Sequence, residues 1–169
     1  MPKIELITEI NSSLEICFNL SRSIDLHQLS TAETKERAIA GKTAGLISMN
    51  DYVTWEAIHF GVKQKLTSKI TGYNYPHYFK DEQLQGAFKS FEHEHLFEQV
   101  GKVVIMKDIF TFSSPLGILG KIANQLFLTN YMRKFLLQRN LIIKDFAETD
   151  KWKVLLDDNN TGFKNVIIK

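Results

Sequence analysis

The chain divides by its pattern of apolar and polar positions into a strand-rich stretch and one long helical stretch. Residues 3–10 alternate apolar and polar apart from the pair Leu6-Ile7, which predicts a first strand. Asn11-Ser12-Ser13 follows, with Glu15 three residues after Ser12, a capping-box start for a short, mostly buried helix through Leu14, Ile16, Cys17, Phe18 and Leu20. A second short helix is predicted over Asp25–Ser30, and a second strand over Glu33–Ala40. Tyr52–Phe60 and Val62–Tyr73 read as two strands turned at Gly61. Tyr75-Pro76 interrupts the ladder, and strands follow over about 78–85, 88–98 and 102–112. From Ser114-Pro115-Leu116-Gly117 to Phe146 the period becomes helical. Consecutive strands without helices between them imply an antiparallel sheet built from hairpins. The fold class expected is α+β: a curved antiparallel sheet of six to seven strands, two short helices after the first strand, and a long C-terminal helix covering the concave face.

The long helix carries two apolar stripes on a helical wheel. Leu119, Ile122, Ala123 and Leu126 form one; Leu128, Met132, Phe135, Ile142 and Phe146 form another on nearly the opposite side. A straight amphipathic helix keeps one stripe, so a break is expected near residues 127–130. Residues 148–169 change pattern, with the turn signal Asp157-Asp158-Asn159-Asn160 between Trp152–Leu156 and Phe163–Ile168. The expected organisation is one domain over 1–147 and a C-terminal extension, a small hairpin or a tail, over 148–169.

Composition sharpens this picture in three ways. Twelve phenylalanines in 169 residues supply rigid apolar faces that suit a cavity wall as well as a core. A net charge of +2, from 21 basic and 19 acidic residues with no clustered Lys/Arg face, speaks against nucleic-acid binding. A lone cysteine, Cys17, excludes an internal disulfide and a cysteine-built zinc site. No window approaches the roughly 18 uninterrupted apolar residues of a membrane span, and Met1–Glu5 lacks a signal peptide's apolar core. A cytoplasmic protein, monomer or homodimer, is the expectation.

The candidate chemistry lies on three strands. His93 and His95 share a strand face with Phe91 and Phe97. Asp81 alternates with Phe79 and Gln83, and Asp108 with Met106 and Phe110. An inward Asp108 and an outward one are equally compatible with the pattern, because Val103, Ile105 and Ile109 make the other face apolar too. His93, His95, Asp81 and Asp108 are the candidate acid/base residues. An His-x-His pair supplies two metal ligands and a zinc site usually needs more. His59, Asp81 and Asp108 are the candidate third ligands, but nothing in the sequence gathers them, so neither metal nor cofactor is expected. The cavity lining expected from alternation is Trp55, Leu66, Phe79, Phe91, His93, His95, Met106 and Phe110 on the sheet, with Leu128, Met132 and Phe135 on the helix. Arg139 falls within the second helical stripe, either reaching the cavity or laying its stem on the core with its head in water. The Gly41–Asn50 stretch has mobile-loop composition. It is expected to form a portal with the helix start, Leu46 and Ile47 facing Ile118 and Leu119.

This order of elements resembles the START-like (SRPBCC, helix-grip) superfamily. Ser23-Ile24-Asp25-Leu26-His27, Val53-Thr54-Trp55-Glu56-Ala57, His93-Glu94-His95 and Ser114-Pro115-Leu116-Gly117-Ile118-Leu119-Gly120 are similar to its small bacterial, polyketide cyclase/dehydrase-like members. The resemblance spans about residues 3–147. It implies binding or carrying of a hydrophobic small molecule, lipid- or aromatic-polyketide-like, between sheet and helix. The alternative it implies is a cyclase/dehydratase-type enzyme using the cavity His and Asp residues as acid and base.

Overall fold

The computed structural model describes residues 1–113 and 127–156. Seven strands form one antiparallel sheet: β1 (Lys3–Ile10), β2 (Arg37–Gly41), β3 (Tyr52–His59), β4 (Val62–Asn74), β5 (Tyr78–Gln85), β6 (Ser90–Val100) and β7 (Val103–Ser113). Their spatial order is β1-β7-β6-β5-β4-β3-β2, so β2 to β7 form a meander and β1 closes onto the last strand. Two short helices, α1 (Leu14–Ser21) and α2 (Ile24–Ser30), follow β1, and α3 (Thr129–Glu148) packs on β1, α1 and α2. No helix among the described residues is long and apolar enough to cross a membrane.

Local chemistry accounts for these boundaries. Ser13, one residue later than the capping-box reading, caps α1 by accepting from the Ile16 N–H at 3.3 Å, and Ser23 caps α2 by accepting from Leu26 at 3.2 Å. The β3–β4 hairpin turns through Phe60 and Gly61 alone, both at positive φ (55° and 76°), the signature of a two-residue type I′ turn. Irregular register between β4 and β5, at Thr67/Ser68 and Ile70/Gly72, bends the sheet toward the helices. The expected second strand starts later than predicted: Ala32–Thr34 form a 3-10 turn, ended by Lys35 in the left-handed conformation.

Three further expectations meet a different structure. The buried face of α3 is Met132, Leu136, Arg139, Asn140, Ile143 and Ala147, and Phe135, Ile142 and Phe146 flank it half-buried. The face was misread because two polar side chains occupy its centre. Trp152–Leu156, expected as one arm of a small hairpin or part of a tail, is a short helix, α4, packed on α1. The Gly41–Asn50 loop is fastened rather than free. Ile24 donates to the Gly45 carbonyl at 2.9 Å, Gly45 to Asp25 Oδ2 at 2.8 Å, and Ile47 to the Arg22 carbonyl at 3.1 Å. π-type winding occupies Phe127 and Leu128 ahead of α3, and the expected break depends on residues 114–126, outside the described residues. The helix start, the first apolar stripe, Ile118 and Leu119, and residues 157–169 lie outside the described residues.

Two apolar clusters hold the molecule together. The larger centres on Phe18, whose ring meets Tyr73, Tyr75, Phe79 and Phe97 edge-on at centroid separations of 5.2–5.5 Å. The smaller joins Ile4, Phe91, Phe110 and Phe112 to Met132 and Leu136 of α3.

Candidate functional site

A cavity of about 120 Å³ lies between the sheet and α3. The alternation on β3 to β7 aims side chains into it, and most of the expected lining is found there: Trp55, Leu66, Phe79, Phe91, His93, His95, Phe110, Met132 and Phe135. Two expected residues are elsewhere. Met106 is fully buried beneath the wall, accepting from the Ser21 hydroxyl at 3.4 Å, and Leu128 packs half-buried on the smaller core cluster. Ile47 lines the cavity, whereas Leu46 bridges to Ser23.

The four candidate acid/base residues converge on neighbouring strands. Across the ladders Asp81 is paired with His93, and His95 with Asp108. The side chains then reach diagonally. His93 Nε2 lies 3.1 Å from Asp108 Oδ1, and His95 Nε2 lies 3.4 Å from Asp81 Oδ1. The face of β7 that the pattern left open is decided by burial: Met106, Asp108 and Phe110 all point inward, and Asp108 is 1% exposed. The His95 ring is stacked on Phe79 at 4.0 Å and lies 3.9 Å from that of His93.

The helix completes the network. Asn140 donates from Nδ2 to Asp108 Oδ2 at 2.6 Å and to Thr8 Oγ1 at 3.3 Å. Arg139 is 5% exposed: Nη2 donates to the Ser21 carbonyl at 2.7 Å, and Nη1 lies 3.6 Å from Asp108. Its head group therefore turns inward, not to water. Within this network, one polar atom among the described residues has no hydrogen bond. His95 Nδ1 is 2.8 Å from Asp108 Oδ1, but the carboxylate lies off the direction a ring N–H requires, so Nδ1 has no hydrogen-bond partner.

These contacts set the charges. Burial acts to raise the Asp108 carboxyl, but His93 and His95 hold it well below its ordinary value, and the Asn140 donor also favours the ionised form. Burial raises and the His95 contact lowers Asp81, with a net shift downward. Burial and the neighbouring His95 push His93 down to about 4, so its ring is neutral near pH 7.

A second polar pair lines the cavity. Buried Glu36 lies 3.2 Å from His27 Nε2, and the His27 ring stacks on Trp55 at 4.2 Å. His59, a candidate third metal ligand, instead meets the Tyr131 hydroxyl at 2.7 Å. Sequence reasoning missed Glu36, His27 and Asn140. The available signal was Arg139-Asn140 adjacent on a helix whose i, i+4, i+7 positions are otherwise apolar. Cys17 is core: burial, then the Glu148 charge, pushes its thiol up to about 12.

No protein-family model and no curated protein matches this chain. Solved structures do. A protein from Thermus thermophilus, 14% identical, superposes with a TM-score of 0.71 over 86% of this chain and 97% of its own. A START superfamily protein from Mycobacterium smegmatis, 13% identical, gives 0.65 over 86% and 97%. The chain has the START-like helix-grip fold. A di-domain ARO/CYC from the steffimycin biosynthetic pathway, 12% identical, shares the START-like architecture with a TM-score of 0.70, over 86% of this chain and 50% of that one. At these identities the likeness is one of fold, and function rests on the site itself.

Proposed function

We propose that the protein binds a small hydrophobic molecule in the cavity between sheet and α3, with its polar end at Asp81, His93 and His95. The observation that carries this reading is an apolar, largely aromatic cavity in which ionisable side chains from three strands and one helix converge at one place. Apolar pockets with a few convergent polar groups are the usual form of small-molecule sites. The cavity's 120 Å³ sets the scale of the ligand. It is below the roughly 300–1,000 Å³ of sites for drug-sized molecules. The bound group is then about one substituted ring, or one end of a longer lipid- or polyketide-like chain that widens the cavity. The START superfamily and ARO/CYC neighbours support the reading in class. Ser68 lines the cavity, so Ser68→Phe should fill it. Saturable binding of a fluorescent apolar probe should be lost in that variant with thermal unfolding little changed. Equal probe binding in both proteins would place the site elsewhere.

The second reading is a cyclase- or dehydratase-type enzyme. It is favoured by one observation: both histidines sit on carboxylates at the cavity wall, where a ring N–H and a basic nitrogen can serve the same bound carbonyl compound. His93→Gln separates the two. It should leave probe binding within about tenfold, since one neutral hydrogen bond is worth roughly 0.5–1.5 kcal/mol, while abolishing turnover of an enolisable ring substrate.

A further inference from the structure

We infer that Asp81, His93 and His95 form a binding site for a divalent transition-metal ion. One carboxylate oxygen of Asp81 and one ring nitrogen of each histidine lie within 4.8 Å of one another. Metal bonds of about 2.0–2.2 Å place neighbouring ligand atoms roughly 3–3.5 Å apart. The Asp81 Oδ1 to His95 Nε2 edge, 3.4 Å, already has that spacing, and small side-chain rotations close the remainder. The third ligand that the sequence could not place is thus supplied by the β5–β6 register.

The donor set selects the ion. Two imidazoles and one carboxylate suit zinc, iron, cobalt, nickel or copper, whereas magnesium and calcium favour all-oxygen shells. Metal-bound histidines commonly turn their other nitrogen to a carboxylate. Asp108 stands in that place, 2.8 Å from His95 Nδ1, and is itself fixed by Asn140. A metal on His95 Nε2 puts the ring proton on Nδ1, 2.8 Å from Asp108 but off line with it, and the small ring rotation that closes the site would also be the one that brings this unpartnered nitrogen into line.

The charges are compatible. The Arg139 cation is directed at Asp108 and the Ser21 carbonyl, so Arg139 and Asp108 offset each other. Asp81 then contributes one negative charge, and a divalent ion leaves the site with one positive charge. Asp81, His93 and His95 all line the cavity, so the positions they leave open face it. The exogenous ligand class is an oxygen anion such as phenolate, enolate, carboxylate or hydroxide.

The test is titration of chelator-stripped protein with Co²⁺ alone, read by visible d–d absorption. The expected result is one saturable site, displaced by Zn²⁺ but not by Mg²⁺ or Ca²⁺. Asp81→Asn, near-isosteric and only partly buried, should weaken Co²⁺ at least about 100-fold, and Asp108→Asn about 10–100-fold, the range for carboxylates behind metal ligands. His77→Gln, on an exposed turn, should change nothing. Near-UV circular dichroism without metal confirms that each variant is folded; if Asp81→Asn fails there, Asp81→Glu, expected to retain Co²⁺ with a shifted spectrum, carries the test. Absence of saturable Co²⁺ binding, Co²⁺ affinity unchanged in Asp81→Asn, loss of Co²⁺ in Asp81→Glu, or loss in His77→Gln each overturns the inference. Wild-type protein that binds the apolar probe but not Co²⁺ removes the metal and leaves the binding reading standing; the reverse result removes the binding reading alone.

Discussion

The inward faces of β6 and β7 carry two regions built on the same alternation but made differently. At one end Phe91, Phe110 and Phe112 pack with Phe88 at centroid separations of 5.3–6.1 Å, and the stabilisation is dispersion and exclusion of water. One step along, His93, His95 and Asp108 replace aromatic rings, and Arg139 and Asn140 of α3 replace aliphatic contacts. The aromatic end tolerates any well-shaped apolar group. The ionised end requires each partner, because a buried charge without its counterpart costs several kcal/mol. A fold that needed only a core would not place Asp108 and Arg139 where Phe would serve. The proposed function rests on the ionised end.

The largest effect on this comparison comes from removing its central carboxylate. Asp108→Ala removes the buried counter-charge of Arg139 and the nearer of the two acceptors of Asn140 and should cost about 3–5 kcal/mol of unfolding free energy in urea, whereas Asp108→Asn, which keeps the shape, should cost about 1–3 kcal/mol. Equal losses would mean that shape, not charge, governs the site.

Phe91→Ala acts on the aromatic side. It should cost about 3 kcal/mol, the lower end for Phe→Ala, because Phe91 already borders a cavity. It should also admit apolar probes too large for the wild-type protein. Stability loss without wider probe acceptance would detach Phe91 from the cavity wall.

A third effect is acid sensitivity from the Glu36 corner, outside the ionised end. Burial raises Glu36, but His27, His59 and Thr31 hold it below 4.5 overall; burial holds His59 below 6.5 against the pull of Glu36. Tyr131 and, at longer range, Glu33 complete the groups facing this corner. A folded pKa below the unfolded one means that stability is present above the unfolded value and lost as pH falls through the folded one. Unfolding free energy should therefore decline from about pH 6.5 downward through His59 together with His93 of the ionised end, and again below about pH 4.5 through Glu36, with Asp81 and Asp108 adding only below about pH 4, given their ordinary values. Glu36→Gln should flatten the lower limb only, and a lower limb unchanged in that variant would contradict the assignment.

The smallest effect is expected from exposed pairs. Arg37→Ala, which breaks the 3.0 Å contact of Arg37 with Glu56 on the sheet's outer face, should change stability by less than about 1 kcal/mol. A loss as large as that of Asp108→Ala would erase the distinction between the buried network and the surface.

What was legible in the sequence follows from the same contrast. Strand alternation places Phe91, His93, His95 and Phe97 on one face because period two is a local property of the chain. Convergence is not local. That Asp81 reaches His95, and His93 reaches Asp108, depends on pairing registers between β5, β6 and β7 that no single strand encodes. The face of α3 was misjudged by about one residue position: the stripe did include Arg139, but it ran through Phe135, Ile142 and Phe146, and an apolar count passes over Asn140 at the true centre. The Trp152–Leu156 segment reads equally well as strand or helix at five residues, and packing on α1 decides it. The Gly41–Asn50 loop has mobile composition but is held by backbone bonds to residues 22–25, which composition does not report.

The central claim is that an apolar molecule lies in the cavity with its polar end on the ionised residues. The most direct measurement is an NMR-detected titration of chelator-treated protein with 4-methylphenol and with p-xylene, two probes of like size that differ by one hydroxyl. The account predicts saturable shifts at Met132, Leu136 and the ring signals of His93 and His95. It also predicts tighter binding of the phenol by about tenfold or more, the worth of a hydrogen bond to a charged group. Equal affinities, or shifts confined to exposed residues such as those of the β3–β4 turn, would contradict it.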